Sequence, residues 1–331
     1  MREDVVLTLD FSAQDVAATR FARSRLLEVV TSVQVLKDPG SRAVHLPWVR
    51  QARERLAAGG VRYELLSQLV PMPAWHLPDF LTPVPAATAD GMAAELAALA
   101  ATAPRSVVAD LEPLARPLPP LVERLRADPV AGLARLTAEV GAYWEAAVEP
   151  FWARIERLAE GEILYRARKM AVGGPAALFE GLHPKVSWSE GRMTLAQRRY
   201  DSAQRLVGGR GLVLVPSVFV WPGAVLQTDG VAQPGLVYAP RGVATLWEGG
   251  AVVPRALAGV LGRGRALLLA ELESPASTTE LALRTGLSAP NVSHHLSALH
   301  AAGLLVRHRS GRTVLYVRTA LAQALLEAGA P

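Results

Sequence analysis

The sequence predicts an α+β fold, mainly α: a large helical N-terminal domain with a small β portion, then a C-terminal module of short helices and one hairpin. Three observations carry this. The chain has 331 residues, about twice a usual single-domain length, so more than one domain is expected. Half of it is hydrophobic and a fifth charged, the make-up of an ordered globular chain. Aromatic and charged residues are unevenly placed. All seven tryptophans precede residue 250, and residues 251–331 carry eight arginines against four glutamates. The tail is therefore +4, leaving +1 of the net +5 to the first 250 residues. The boundary falls at "EGGAVVP", where paired glycines and Pro254 close the aromatic region, giving domains 1–250 and 251–331.

Ser12 and Asp15 have the spacing of a capping box ahead of a short helix. "HLPWVRQARERLAAGG" starts a helix near Pro47 and stops it at Gly59 and Gly60. Residues 71–90, "PMPAWHLPDFLTPVPAATAD", are too proline-rich for regular structure. With Trp75, His76 and Phe80 they are expected to pack down as an extended segment. Residues 91–172 read as mainly helical, because Trp144, Val148, Phe151, Trp152, Ile155 and Leu158 recur at helical spacing. Pro150 is expected to kink that helix, and Gly173 and Gly174 to end it. The span 1–175 is thus expected to be helical. The period changes over 185–247. "KVSWSEGRMTL" alternates around a Glu-Gly turn, and "GLVLVPSVFVW" and "GLVYAP" are apolar runs bounded by Gly and Pro, so a small sheet is expected there.

The tail opens with "ALAGVLGRGRALLLAELES", an apolar helical stripe through Leu257, Leu261, Leu268, Leu269 and Leu272, broken or bent at its glycines. "STTELALRTG" begins with Ser/Thr capping chemistry and turns Leu281 and Ala282 inward. Gly286 supplies a residue that tolerates positive φ, and Leu287 plugs the angle between two helices. Ser288 is expected to cap the next helix, residues 288–301, with Pro290 in its first turn. Val292, Leu296 and Leu299 fall at four- and three-residue steps and define the buried face. The outer side then carries Ala289, Pro290, Ser293, His294 and Ser297, with Ser288 and Asn291 beside them. Small and hydrogen-bonding side chains can approach base edges and phosphates, which acidic ones would repel. No acid occurs between Glu280 and Glu327. The segment 305–318, "LVRHRSGRTVLYVR", alternates as two strands joined at Ser310 and Gly311, with Arg307, Arg309 and Arg312 placed to reach phosphates.

Residues 254–326 resemble the winged helix-turn-helix of ArsR-type bacterial repressors. Their recognition helix commonly runs Ser-x-x-x-Val-Ser-x-His-Leu, present here as Ser288, Val292, Ser293, His295 and Leu296. "LHAAGLLVRHRSGRTVLY" is similar to the family's helix end and wing. The full chain further resembles regulators in which this module follows a long domain of uncharacterised function. The resemblance implies double-stranded DNA as partner, repression by default, and a homodimer paired through the first and last helices, about 255–262 and 318–328. It also implies a departure. The family's metal-binding cysteine pair is replaced by "STTEL", and "TALAQALLEAGA" has no His or Asp for an interfacial zinc, so no metal and no cofactor is expected.

Cysteine is absent, which excludes disulfides, thiolate metal sites and cysteine nucleophiles. The opening "MREDVVLTLDF" does not read as a secretory signal, and the longest apolar run carries Pro216 and Pro222, so no membrane span and a cytoplasmic protein are expected. His45, His76, His183, Glu64 and Asp79 fall in no nucleophile elbow, His-Glu-x-x-His motif or phosphate loop, so an enzyme is not expected. Control by a small-molecule or protein effector is then assigned to the first domain. Trp48, Trp75, His76, Phe80, Trp144, Trp152, Trp221 and Trp247 are the candidates for an apolar effector pocket; the competing assignment for each is ordinary core packing. The alternative function is a protein-interaction module whose DNA-binding tail only localises it.

Overall fold

A computed structural model of the chain describes residues 5–72, 77–85, 91–114, 117–197, 204–227, 233–247, 255–272, 275–285, 287–310 and 313–328. It is mainly helical with small sheets. By compactness it divides into two units, Met1–Trp247 and Glu248–Pro331, and each is taken by itself.

The first unit begins with β1 (Val5–Asp10), α1 (Ala13–Ala18), β2 (Arg20–Phe21) and α2 (Arg25–Lys37). Ser12 and Asp15 form the reciprocal capping box: the Asp15 amide donates to Ser12 Oγ at 3.2 Å, and the Ser12 amide to Asp15 Oδ2 at 2.9 Å. α2 is buried along nearly its whole length, from Leu26 to Leu36, as its all-round apolar sequence requires of a central helix. Around it lie α3 (Leu46–Ala58), α4 (Glu64–Leu69), α5 (Met92–Ala100), α6 (Pro104–Leu111), α7 (Pro120–Ala127), α8 (Pro129–Tyr143) and the long α9 (Glu149–Phe179). Side chains of all these helices share one core. Glu95 of α5 fastens the start of α2, accepting from Ser24 Oγ at 2.5 Å and from the amides of Arg25 and Leu26 at 2.8 and 2.9 Å. A carboxylate there meets otherwise unpartnered amides and the positive helix end together.

Between α8 and α9 the chain makes one π-helical turn, Trp144–Val148, directly before Pro150. The wider turn absorbs the donor that proline removes. It also leaves the Ala147 carbonyl to accept from Trp48 Nε1 at 2.9 Å. α9 breaks at Gly174, whose φ of 67° and ψ of −160° are outside the helical region. The long helix ends there, as the paired glycines predicted. Pro175 starts a further turn to Phe179, and two side-chain anchors hold that turn: Leu178 and Phe179 are buried, and Arg166 donates to the carbonyls of Leu178, Glu180 and Gly181. In the proline-rich segment, Asp79–Leu81 forms a 3-10 turn with Phe80 and Leu81 buried; Trp75 and His76 lie outside the described residues.

The β portion comprises β3 (Val186–Ser189), β4 (Arg192–Gln197), β5 (Gln204–Leu206), β6 (Val213–Pro216), β7 (Ala224–Gln227) and β8 (Gly235–Tyr238). Among the described residues it forms two four-stranded sheets, ordered β3-β4-β1-β5 and β2-β6-β8-β7. This corrects the sequence reading twice. One sheet was expected and two are found, and each takes a strand from the N-terminal stretch assigned to helix. β1 pairs antiparallel with β4 (Leu7 opposite Leu195) and parallel with β5, while β2 pairs parallel with β6. Leu7 and Leu9 are buried and Val6 is half exposed, the two-residue period of a strand with one buried face. Glu190 and Gly191, both at positive φ, join β3 to β4, the turn that the alternating pattern predicted.

The second unit contains α10 (Arg255–Leu261), α11 (Arg263–Glu271), α12 (Thr278–Thr285), α13 (Ala289–Ala301), the ribbon of β9 (Leu305–Ser310) and β10 (Thr313–Arg318), and α14 (Ala320–Ala328). Gly262, at φ 83°, separates α10 from α11.

Candidate nucleic-acid interface

Three devices set the position of α13. The first is its buried face: Val292, Leu296 and Leu299 are essentially inaccessible, packed with Leu268, Leu269, Leu272 and Leu281. The second is α12, started by a capping box in which the Ser277 amide donates to Glu280 Oε2 at 2.6 Å and the Glu280 amide to Ser277 Oγ at 3.3 Å. The third is the bridge between Ala276 and Tyr316, with amide-to-carbonyl distances of 3.2 and 2.9 Å, which ties the chain before α12 to the ribbon. α12, α13 and a two-stranded ribbon in this order are a helix-turn-helix with a wing. Gly286, assigned to the turn, lies outside the described residues.

Ser288 occupies the N-cap of α13 in extended backbone, and Pro290 lies in the first turn, but the Ser288 hydroxyl makes no capping hydrogen bond. Capping chemistry was expected of it; instead the side chain is exposed. Ala289, Pro290, Asn291, Ser293, His294 and Ser297 are exposed as well. His295 is half-buried. Its pKa is lowered, chiefly by burial and then by the charge of Arg265 and by His294. Its Nδ1 is buried without a hydrogen-bond partner.

In the wing, Arg307 pairs with Tyr316 and Arg309 with Val314, so the two arginines stand on one side of the ribbon, and both are exposed. Ser310 pairs with Thr313, so the connection is Gly311 and Arg312, one residue later than the Ser310-Gly311 pair expected. Those two residues lie outside the described set. Arg318 at the far end has a structural task, donating to the Ala270 carbonyl at 2.7 Å and to Gln323 Oε1 at 3.0 Å.

In the first unit, Trp48, Trp144 and Trp247 are buried in the core, Phe80 is buried with them, and Trp152 and Trp221 pack against that core partly buried. Trp48, Phe219 and Trp247 lie ring against ring with centroids 4.4 to 6.2 Å apart. A groove of about 420 Å³ lies elsewhere, between the end of α9 and β3, lined by Gly173, Ala176, Phe179, Glu180, Val186 and Trp188. Of the residues proposed for a pocket, none of the six that are described, Trp48, Phe80, Trp144, Trp152, Trp221 and Trp247, lines it. Phe179 and Trp188 are stacked 4.8 Å apart, a pairing that joins a helix end to a strand and has no signature in local sequence.

Residues 267–306 match the family model described as bacterial regulatory protein, arsR family. The match runs from α11 through the recognition helix α13 into the wing. Comparisons with curated proteins and with solved structures returned no match. The second unit is thus a winged helix-turn-helix DNA-binding module, and its matched segment is an ArsR-family regulator domain. The protein is a DNA-binding transcription regulator. Among the described residues, no helix is long and apolar enough to cross a membrane.

Proposed function

We propose that the protein is a homodimeric transcriptional repressor controlled by a non-metal effector or protein partner on its first unit. The observation that carries this reading is the acid-free outer side of α13 beside Arg307 and Arg309. Ser288, Ala289, Pro290, Asn291, Ser293, His294 and Ser297 face the major groove, and Arg307, Arg309 and Arg312 hold the backbone. Dimer formation is supported by Val260 on α10, 83% exposed, and Leu321 on α14, 57% exposed. Exposed apolar side chains on these two helices fit the pairing that the family resemblance implies. Two copies then place their recognition helices one helical turn of DNA apart, about 34 Å.

The effector is assigned to the first unit because the chain has no cysteine and lacks both of the family's metal-ligand sets. The groove at Phe179 and Trp188 has the volume of a small-molecule site. The experiment is duplex binding by full-length protein across a salt series. Arg309→Ala and Arg312→Ala weaken specific and random duplexes alike and flatten the salt dependence, whereas Ser293→Ala and His294→Ala reduce sequence preference. A salt dependence untouched by the arginine changes overturns the assignment of the wing.

A further inference from the structure

At the start of α11 the sequence Gly262-Arg263-Gly264-Arg265 places two arginines around a glycine. A Cβ on Gly264 would sit 2.9 Å from Nε2 of His295, so the imidazole end of His295 lies directly over this glycine and α11 meets α13 here. Arg265 is thereby brought beside His295, on whose imidazole its charge acts, and Arg263 flanks the same glycine on its other side. Arg263 is exposed and Arg265 half-buried.

Residues 255–270 contain Arg255, Arg263 and Arg265 and no acid. Among the described residues neither Arg263 nor Arg265 makes an ion pair. Arg265 Nε is buried without an acceptor, as is Nδ1 of His295. The two side chains interact electrostatically: the imidazole pKa is held down chiefly by burial and then by the arginine's charge. A guanidinium charge with no ion pair beside an imidazole is an arrangement to which a nearby anion is attracted. His295 lies beside exposed His294 on α13, ring centroids 5.7 Å apart, so the anion in question is a phosphodiester of the duplex proposed to meet that side.

We propose that Arg263 and Arg265 form a second backbone clamp, gripping DNA phosphates beside the recognition helix as the wing grips them beyond its end. This rests on the second unit binding DNA through α13 and the wing. The arginine side chains, as point charges, supply the attraction; they read no sequence.

The test uses full-length protein and a 30-base-pair duplex of mixed sequence, titrated between about 50 and 200 mM salt. Arg263→Gln/Arg265→Gln makes the slope of log affinity against log salt shallower by about 1.8 per module, about 0.9 for each phosphate no longer neutralised. Arg263→Lys/Arg265→Lys retains most of the slope, because lysine still serves as a point charge. That retention distinguishes the removal of charge from a damaged helix. If the Gln variant keeps the wild-type slope while Arg309→Ala lowers it, the second clamp is wrong and the wing stands. If the wild-type chain binds no duplex at the lowest salt, the DNA-binding reading fails first and the clamp fails with it.

Discussion

The indole N–H of Trp247 donates to Nδ1 of His45 at 2.9 Å, joining residues 202 positions apart. Both are buried in the core of the first unit. Because Nδ1 accepts, the ring hydrogen sits on Nε2, which is buried without a partner. Burial, with the nearby charge of Arg42, depresses the His45 pKa to about 4 from its ordinary 6.5. The neutral ring is thus what the folded core accepts.

Stability should therefore fall in acid. Between the depressed value and the ordinary one the unfolded chain binds more protons, so the His45 contribution is complete at neutral pH and is lost as pH drops from about 6.5 to about 4. The loss is of order 3 kcal/mol. Tryptophan fluorescence reports the first unit alone, since all seven tryptophans precede residue 250. Urea unfolding followed in this way should give an acid slope that is much reduced in His45→Asn, whose amide oxygen can still accept from Trp247. An unchanged slope would show that His45 is not the group responsible.

Glu28 should act with the opposite sign. It is buried in α2, accepting from the amides of Val218 at 2.7 Å and Phe219 at 3.2 Å and from the Ser217 hydroxyl at 3.1 Å. Desolvation outweighs these bonds and pushes its pKa up to about 7 from 4.5. An acid with a raised pKa favours the folded state at low pH, and that contribution disappears as pH rises through about 7. Glu28→Gln resembles the protonated form and cannot ionise. Wild type and this variant should be of similar stability near pH 5, and the variant should become increasingly the more stable as pH rises to about 8, measured by the same unfolding assay.

Arg166 should be the most costly charged residue to remove from the first unit. It is 1% exposed, donates to Glu162 Oε1 at 2.6 Å, and satisfies the carbonyls of Leu178, Glu180 and Gly181 at 2.7 to 3.1 Å. Arg166→Ala strands these acceptors and is expected to cost about 3–5 kcal/mol. Glu162 keeps Arg241 Nε at 2.8 Å, so Arg241→Ala, at an exposed site, should cost far less. Equal losses from the two substitutions would refute this ordering.

The proposed dimer should be disrupted at its apolar helices. Leu321→Glu and Val260→Asp place charge on exposed apolar positions of α14 and α10, where burial against a second copy would strand it. Light scattering should show a shift to monomer. Affinity for a two-half-site duplex should fall more than affinity for a single half-site, because the linkage between modules is lost. A wild-type chain that is already monomeric at micromolar concentration would contradict the dimer.

The local rules were legible in the sequence. The Ser12–Asp15 box, the Ser/Thr capping at the start of α12, the Glu190-Gly191 turn and the buried stripe of Val292, Leu296 and Leu299 formed as patterned. Each depends on partners within four residues, whose geometry the backbone fixes as soon as a helix or turn exists. The buried face of the recognition helix belongs to this group; the wing pairs residues as far apart as Leu305 and Arg318, and was legible because two alternating stretches flank a short turn.

Tertiary structure decided the rest. β1 joins β4, which starts at Arg192, and no periodicity in "VVLTLD" names that partner. Trp48 and Trp247 became core through packing with Phe219 and His45, and a tryptophan's sequence cannot say whether its ring meets other rings or a cavity. Arg265 comes to act on His295 because Gly264 and that imidazole meet across α11 and α13. Such pairings are set by which surfaces meet once the long loops between them have closed, and the free energy that selects them is spread over the whole packed interior rather than held in any short stretch.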